Sequence, residues 1–460
     1  SAALLETKRA EAQRAQEAAT AETVSDFMVG LFEIADPGET QGNAVTAREI
    51  LDDGATRVRT ELEGEPRILG RMLHTMGEVY VNLGLFDQAE ELMEEALETR
   101  RIGTGDRSLE TAETLDRLGD LYRKMGHYER AEELIREGLA IRSDSLGEEA
   151  LDVARSLNNL ALVRQAEDDF EQAEELFLRS LAARRAAAGT DQNLDVALAL
   201  HNLGNFHSSS GRDTEAADSF ARQALEIRRS LLGEIHPRVA STLGVLGSIA
   251  LDRGDLAQAE TLQRQSLEIE RTLYGEDHPQ VTSSLGELGL ILMDQGRVEE
   301  GEALLREVLE RDREALAPDH PDLAIRLNNL AWALQQRGKY QEAGGLFLES
   351  LTLRRKVHGD RSSSVARAAG NYGRFLMTSG GDLREAEALI EESAQTWESI
   401  HGSDHPDFAV ASYSLGQVRA RRGNHGSAAT AYNRAIAAWG EGLPPDHPNL
   451  GYAGQGLGLS

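Results

Sequence analysis

The chain has 460 residues, 40% of them apolar, and its 44 glycines and 10 prolines leave a composition suited to a packed protein rather than low-complexity sequence. With 78 acidic against 48 basic residues the formal charge is −30, which argues against a general binder of nucleic acid or anionic membrane, because such footprints need clustered cations. The absence of cysteine excludes disulfides, thiolate metal sites and cysteine nucleophiles.

In chain order, residues 5–32 are rich in Ala, Glu and Arg and read as a long helix ending in the apolar cluster Val24, Phe27, Met28, Leu31 and Phe32. Asp36, Pro37 and Gly38 punctuate it. Nothing in this stretch has the layout of a secretory signal, and no run in the chain approaches the ~20 apolar residues of a membrane span. Opening on Ser1 rather than methionine leads to the expectation that the sequence is either trimmed or a piece of a longer protein. A second helix over residues 46–62 is expected to cap a repeat array that begins at about residue 67.

In that array one phrase recurs nine times. Its alanine falls at Ala89, Ala131, Ala173, Ala217, Ala259, Gly301, Ala343, Ala386 and Ala428, with spacings of 42, 42, 44, 42, 42, 42, 43 and 42. A period of this size means stacked units, none of which buries its apolar face alone. In the second copy, residues 115–142, Leu115, Leu118, Leu121 and Tyr122 sit at offsets of three and four, as do Ala131, Leu134, Ile135 and Leu139. Two amphipathic helices are predicted, with Gly126 ending the first. Small residues at Gly77, Gly119, Ala161, Gly204, Gly247, Gly289, Ala331, Gly373 and Gly416 are expected to face the alanine ladder and let each pair close into a hairpin. His-Pro steps separate several copies, at His236-Pro237, His278-Pro279, His320-Pro321, His405-Pro406 and His447-Pro448, where proline suits a first helical turn.

The spacing of Leu118, Gly119, Tyr122, Ala131 and Leu139 resembles the tetratricopeptide repeat, and the 42-residue length with its His-Pro loops resembles the kinesin-light-chain type. The likeness covers residues 67–448. It implies an all-α, right-handed superhelical α-solenoid of about nine 42-residue hairpins. The expected layout is an N-terminal helix and connector over 1–38, a capping helix over 39–66, nine repeats over 67–448 and a truncated C-terminal segment over 449–460. The residues Ala21-Glu22-Thr23-Val24-Ser25-Asp26-Phe27 through Phe32-Glu33-Ile34-Ala35-Asp36-Pro37 resemble the segment that comes after the membrane span in bacterial serine/threonine kinases with tetratricopeptide tails. This implies a kinase's sensor or partner-binding tail outside the cytoplasmic membrane. The sequence itself has no glycine-rich loop, catalytic Asp motif or DFG.

Chemistry is hard to place elsewhere. The His-Pro histidines occur once per repeat, and stacked helices separate equivalent positions by on the order of 10 Å, too far for one metal shell. They are expected to be structural, and neither metal nor cofactor is expected. Arg100-Arg101, Arg184-Arg185, Arg228-Arg229 and Arg354-Arg355 end second helices, where cations favour the helix dipole. Glu90-Glu91, Glu132-Glu133 and Glu174-Glu175 are expected on solvated faces. No nucleophile, base and orienter combination can be argued from spacing.

The resemblance implies that first helices line a concave groove. Counting helical angles puts Asn158 and Asn159 in repeat three, His201, Asn202 and Asn205 in repeat four, Asn328, Asn329 and Trp332 in repeat seven, and Asn371 and Arg374 in repeat eight on or beside that stripe. Asparagine is a poor helix-interior residue, and its carboxamide fits either of two uses, donating to and accepting from a peptide main chain or bonding across helices or to water. Gly244, Ser248, Gly286 and Leu290 at matching positions are expected to widen the groove centre. Trp332 fits either an interface anchor or the core. Trp397 and Trp439, where other repeats carry Arg, fit either packing between repeats or self-association. The reading is a non-catalytic scaffold for an extended peptide or protein segment, with no nucleic acid and no direct membrane insertion. The alternatives are a cytoplasmic, ligand-sensing repeat tail of a signalling protein, and a homodimer formed through the amino-terminal helix.

Overall fold

The computed structural model describes residues 47–440 other than 168 and 211, and every regular element among them is an α-helix. Helix α1 spans Ala47–Glu61, in place of the expected 46–62. It leads into nine hairpins, of which the first three are α2 Pro66–Asn82 with α3 Phe86–Thr104, α4 Leu109–Met125 with α5 Tyr128–Leu146, and α6 Leu151–Ala166 with α7 Phe170–Ala188. Next come α8 Leu194–Ser210 with α9 Thr214–Leu232, α10 Pro237–Asp252 with α11 Leu256–Tyr274, and α12 Pro279–Asp294 with α13 Val298–Ala315. The last are α14 Pro321–Gln336 with α15 Tyr340–His358, α16 Ser363–Ser379 with α17 Leu383–His401, and α18 Pro406–Arg421 with α19 His425–Gly440. The readings for residues 5–32 and 36–38, the His447 loop and 449–460 lie outside the described residues. The chain divides into two compact units, Ser1–Leu231 and Leu232–Ser460, so repeats one to four fall in the first and five to nine in the second.

Local chemistry sets the helix ends. Ser108 accepts the Thr111 amide to start α4, and Gly126 ends it in the left-handed conformation at φ 84° and ψ 11°. The His-Pro steps do more than supply proline. The Nδ1 of His236, His278, His320 and His405 accepts the backbone N–H two residues on, at 3.1, 3.2, 3.2 and 3.1 Å, so each imidazole is an N-cap.

Hairpin closure rests on the two small positions, as expected. All eight alanines of the ladder are fully buried. A Cβ built on Gly119 would stand 2.5 Å from Ile135 Cγ1 and 3.0 Å from the Ala131 carbonyl oxygen, and on Gly373 it would stand 2.6 Å from Ile390 Cγ1 and 3.0 Å from the Ala386 oxygen. No larger side chain fits without moving a helix.

Within each unit, successive repeats are joined by two polar ladders, and here the expectations for the arginine and glutamate pairs need correction. Arg100, Arg184 and Arg354, each the first of its pair, reach Glu110, Asp195 and Ser364 of the next repeat rather than acting as dipole partners in water. Arg100 is buried and donates to the Glu110 carbonyl, Glu113 and Thr114, while Arg142 donates to buried Asp116 and to Ser156. The same position holds Arg184, Arg228, Glu270, Asp312, Arg354, Trp397 and Trp439. Trp397 and Trp439 are buried against Phe408, Ala409 and Ala411, which decides for packing within the chain. The second ladder uses the residue after each small one: Glu132 pairs with Arg164, Glu260 with Arg297 at 2.7 Å, Glu302 with Arg337 at 2.8 Å and Glu387 with Arg419 at 2.9 Å. The first glutamate of a pair is therefore an inter-repeat contact, and only the second, such as Glu91 or Glu133, lies exposed.

Candidate functional site

In the second unit, α14 and α16 present polar side chains to one another along a shared face. Asn371 Nδ2 donates to Asn328 Oδ1 at 2.9 Å, and Gln335 Nε2 donates to Thr378 Oγ1 at 3.3 Å, two turns further along. Arg374 donates to Asn371 Oδ1 at 2.5 Å. Its guanidinium makes no ion pair among the described residues, burial pushes its pKa down, and the charge of Asp407 restores part of the loss.

These residues line a cavity of about 560 Å³ together with Asn329, Trp332, Leu290, Phe347 and Phe375. Its volume is that of a small-ligand or side-chain pocket. Trp332 is half-buried: one part packs on the apolar cluster around Leu327 and Leu330, the remainder lines the cavity, so both expectations for it hold in part. Asp294, at the end of α12, closes one wall, and burial pushes its carboxyl above the ordinary range. Asn329 makes no hydrogen bond among the described residues, leaving a whole carboxamide open.

The first unit carries the same two rungs in repeats three and four. Asn202 Nδ2 donates to Asn158 Oδ1 at 2.6 Å, and Gln165 Nε2 donates to Ser209 Oγ at 3.0 Å. Asn159 is half-buried and Asn205 exposed, and neither makes a hydrogen bond among the described residues. His201 is held mostly neutral: burial first, and then the charge of Arg228, push its pKa down to about 4, and its Nδ1 is buried without a hydrogen-bond partner.

The candidate asparagines therefore divide into two kinds. Asn158, Asn202, Asn328 and Asn371 bind one another across repeats, while Asn159, Asn205 and Asn329 remain available. Gln165, Gln335, Ser209, Thr378 and Asp294 were not among the candidates. They sit one or two helical turns beyond them on the same stripe, and extending the angular count would have found them. The expected widening at Gly286 is not seen, because Arg326 Nη1 lies 3.4 Å from where its Cβ would be, filling that space.

A stack of helical hairpins closed by a small-residue ladder and lined by amides on its first helices defines a helical-repeat scaffold. A family model described as Tetratricopeptide repeat matches residues 69–144, 152–230, 195–272, 238–292, 280–356 and 364–441, most of the chain, and the protein belongs to that family. Among solved structures it is similar to a Rap protein complexed with Competence and Sporulation Factor, at 14% identity and a TM-score of 0.54 over 81% of this chain and 98% of that one. It is also similar to BtubC (BKLC) from P. vanneervenii, at 23% identity and TM-score 0.44 over 51% and 94%. A putative kinesin light chain from Podosopora anserina with nearly identical TPR-like repeats gives 22% identity and TM-score 0.39 over 45% and 97%. A comparison with curated proteins finds no match. At 14% identity the likeness to the Rap protein is one of fold. No helix among the described residues is long and apolar enough to cross a membrane.

Proposed function

We propose that the chain is a non-catalytic scaffold that holds an extended peptide or protein segment along its first helices, with the principal contacts at Asn329, Trp332 and Arg374. The observation that carries this is the open carboxamide of Asn329 beside a half-buried tryptophan in a cavity of about 560 Å³. Such a pairing supplies one main-chain hydrogen-bonding group and one aromatic anchor. Asn159 and Asn205, with His201, supply the corresponding groups in repeats three and four. The Asn158–Asn202 and Asn328–Asn371 rungs hold the surface in shape beneath the ligand. The Rap protein of the same fold, solved with a bound factor, supports the reading by analogy.

The test is a display selection of short peptides on the full chain. Binders should lose affinity with Asn329→Ala at unchanged melting temperature, and lose more with Trp332→Ala, whose packed portion also lowers the melting temperature. Peptides that bind both variants normally, and instead compete with changes at exposed Glu91 or Glu133, would move the site to the other surface.

The placement of this scaffold as the tail of a membrane-anchored bacterial serine/threonine kinase, outside the cytoplasmic membrane, rests on the resemblance of residues 21–37. The expected genomic outcome is a kinase domain and an apolar span encoded ahead of Ser1, and a gene encoding neither overturns it.

A further inference from the structure

Four acidic side chains are buried among the described residues: Asp116, Glu270, Glu302 and Asp312. Three of them touch a cation. Asp116 holds Arg142, Glu302 holds Arg337 and Lys339 at 2.8 Å each, and Asp312 holds Arg326 at 2.9 Å. Glu270, only 3% exposed, holds none. Its Oε1 accepts long bonds from Ser266 at 3.4 Å and Gln280 at 3.5 Å, and its Oε2 has no hydrogen-bond partner. Burial pushes this carboxyl upward, against the opposing pull of the nearby polar side chains of Ser284, Gln280 and Ser266 and of the charge of His278. An ionised carboxylate so placed is costly unless it takes up a proton or a cation comes to meet it.

The repeat itself shows where that charge would come from. Glu270 stands at the strut position. In repeats one, two and four the first-helix residue facing the strut is His74, Asp116 or His201: Asp116 bonds Arg142, and the charges of Arg100 and Arg228 act on the two histidines. In repeat five that residue is Gly244, half-buried, with nothing within 4 Å of the point where a Cβ would stand.

Repeat eight shows what glycine does there, since Gly370 lines a cavity of about 360 Å³ that reaches the strut Trp397. Repeat six also has a glycine, Gly286, but Arg326 enters from the next repeat and neutralises the strut Asp312. The residue equivalent to Arg326 one repeat earlier is Ser284. Repeat five thus combines the acid and the open glycine without the internal arginine.

We infer that the Glu270 carboxylate, approached over Gly244, is a cation subsite that takes the ammonium or guanidinium of a Lys or Arg side chain on the bound segment. The ligand does for Glu270 what Arg326 does for Asp312. The source of the cation rests on the peptide reading above, whereas the carboxylate's demand for a cation does not.

Two measurements on the full chain separate these. In the first, Ser284→Arg transplants the arginine of the next repeat, with Ser284→Met as a size control. Ser284→Arg should melt above Ser284→Met in the native background and lose that advantage with Glu270→Gln. In the second, two random-sequence peptide pools are compared, one with a fixed central lysine and one with norleucine. The native chain should favour the lysine pool about tenfold, the scale of a charge-assisted bond, and Glu270→Gln should abolish the preference. If Ser284→Arg does not fold, the Glu270→Gln comparison stands alone. Equal binding of the two pools, or a lysine preference that survives Glu270→Gln, overturns the subsite. So does absent thermal coupling in folded variants. Competition by free spermidine as strong as by the lysine pool overturns the peptide source. Binding of neither pool with thermal coupling intact sinks the peptide reading while leaving the cation demand in place.

Discussion

An amide already engaged inside the protein differs from an open one, although both are asparagines on the same helical stripe. Asn371 donates to Asn328 and accepts from Arg374, so Asn371→Ala removes two internal bonds as well as any ligand contact. Asn329→Ala removes none. Each neutral bond is worth about 0.5–1.5 kcal/mol. Asn329→Ala should therefore weaken a selected peptide roughly two- to tenfold with no change in melting temperature. Asn371→Ala should lower both affinity and stability. A denaturant titration beside each binding curve distinguishes them, and equal stability loss in the two variants would show that the division into engaged and open amides is wrong. Trp332→Ala should cost binding more, about 2 kcal/mol or above if the ring anchors a side chain, although its packed portion adds a stability loss of its own.

For the helices, the useful contrast lies within the small-residue ladder. Gly119 and Gly247 are equivalent by sequence, yet a Cβ on Gly119 meets the Ala131 carbonyl oxygen at 3.0 Å, whereas on Gly247 it makes ordinary contact with Gln263 Oε1 at 3.5 Å. Gly119→Ala should destabilise by about 1–3 kcal/mol through overpacking. Gly247→Ala should stabilise by up to ~1 kcal/mol, the helix-propensity difference. Thermal melts of the two variants check both signs. The hairpins and their closing ladder were legible in the sequence because a 42-residue period and a 3.6-residue period are one-dimensional patterns. The imidazole caps were not, since a histidine two residues before an amide looks like any loop histidine until backbone angles aim its Nδ1. The struts were hidden for another reason: Arg142 finds Asp116 and Ser156 on two different helices, and only three-dimensional stacking brings those together. The amide stripe itself was readable, but which amides were already engaged depended on contacts across repeats.

At the scale of the whole molecule, the titratable groups weight the loss of stability in acid toward the first unit. In the first unit, the His74 imidazole is pushed down to about 4 by burial and then by Arg100, with Glu113 opposing, and His201 is pushed down to about 4 by burial and Arg228. Both groups bind their proton less readily folded than unfolded, where the ordinary value is 6.5. Stability is therefore full above 6.5 and falls as pH drops from there toward 4, by up to about 2 kcal/mol per histidine between pH 7 and 5, less for the partly exposed His201. Asp116 acts the other way, because burial lifts its carboxyl to about 6 despite Arg142; folding then gains a proton on acidification through 6, offsetting part of the loss. In the second unit Glu270 is also raised, so its contribution likewise improves as pH falls, against a smaller opposing contribution from His358, which burial and then Arg354 push down. All three tryptophans, Trp332, Trp397 and Trp439, lie in the second unit. Intrinsic tryptophan fluorescence consequently reports on that unit, while far-ultraviolet circular dichroism reports on both. Between pH 7 and pH 5 the dichroism midpoint should fall more than the fluorescence midpoint, and His74→Gln with His201→Gln should remove most of the difference, since glutamine takes up no proton. Midpoints that move together in the native chain, or a divergence that survives both substitutions, would show that the acid response does not arise from these imidazoles.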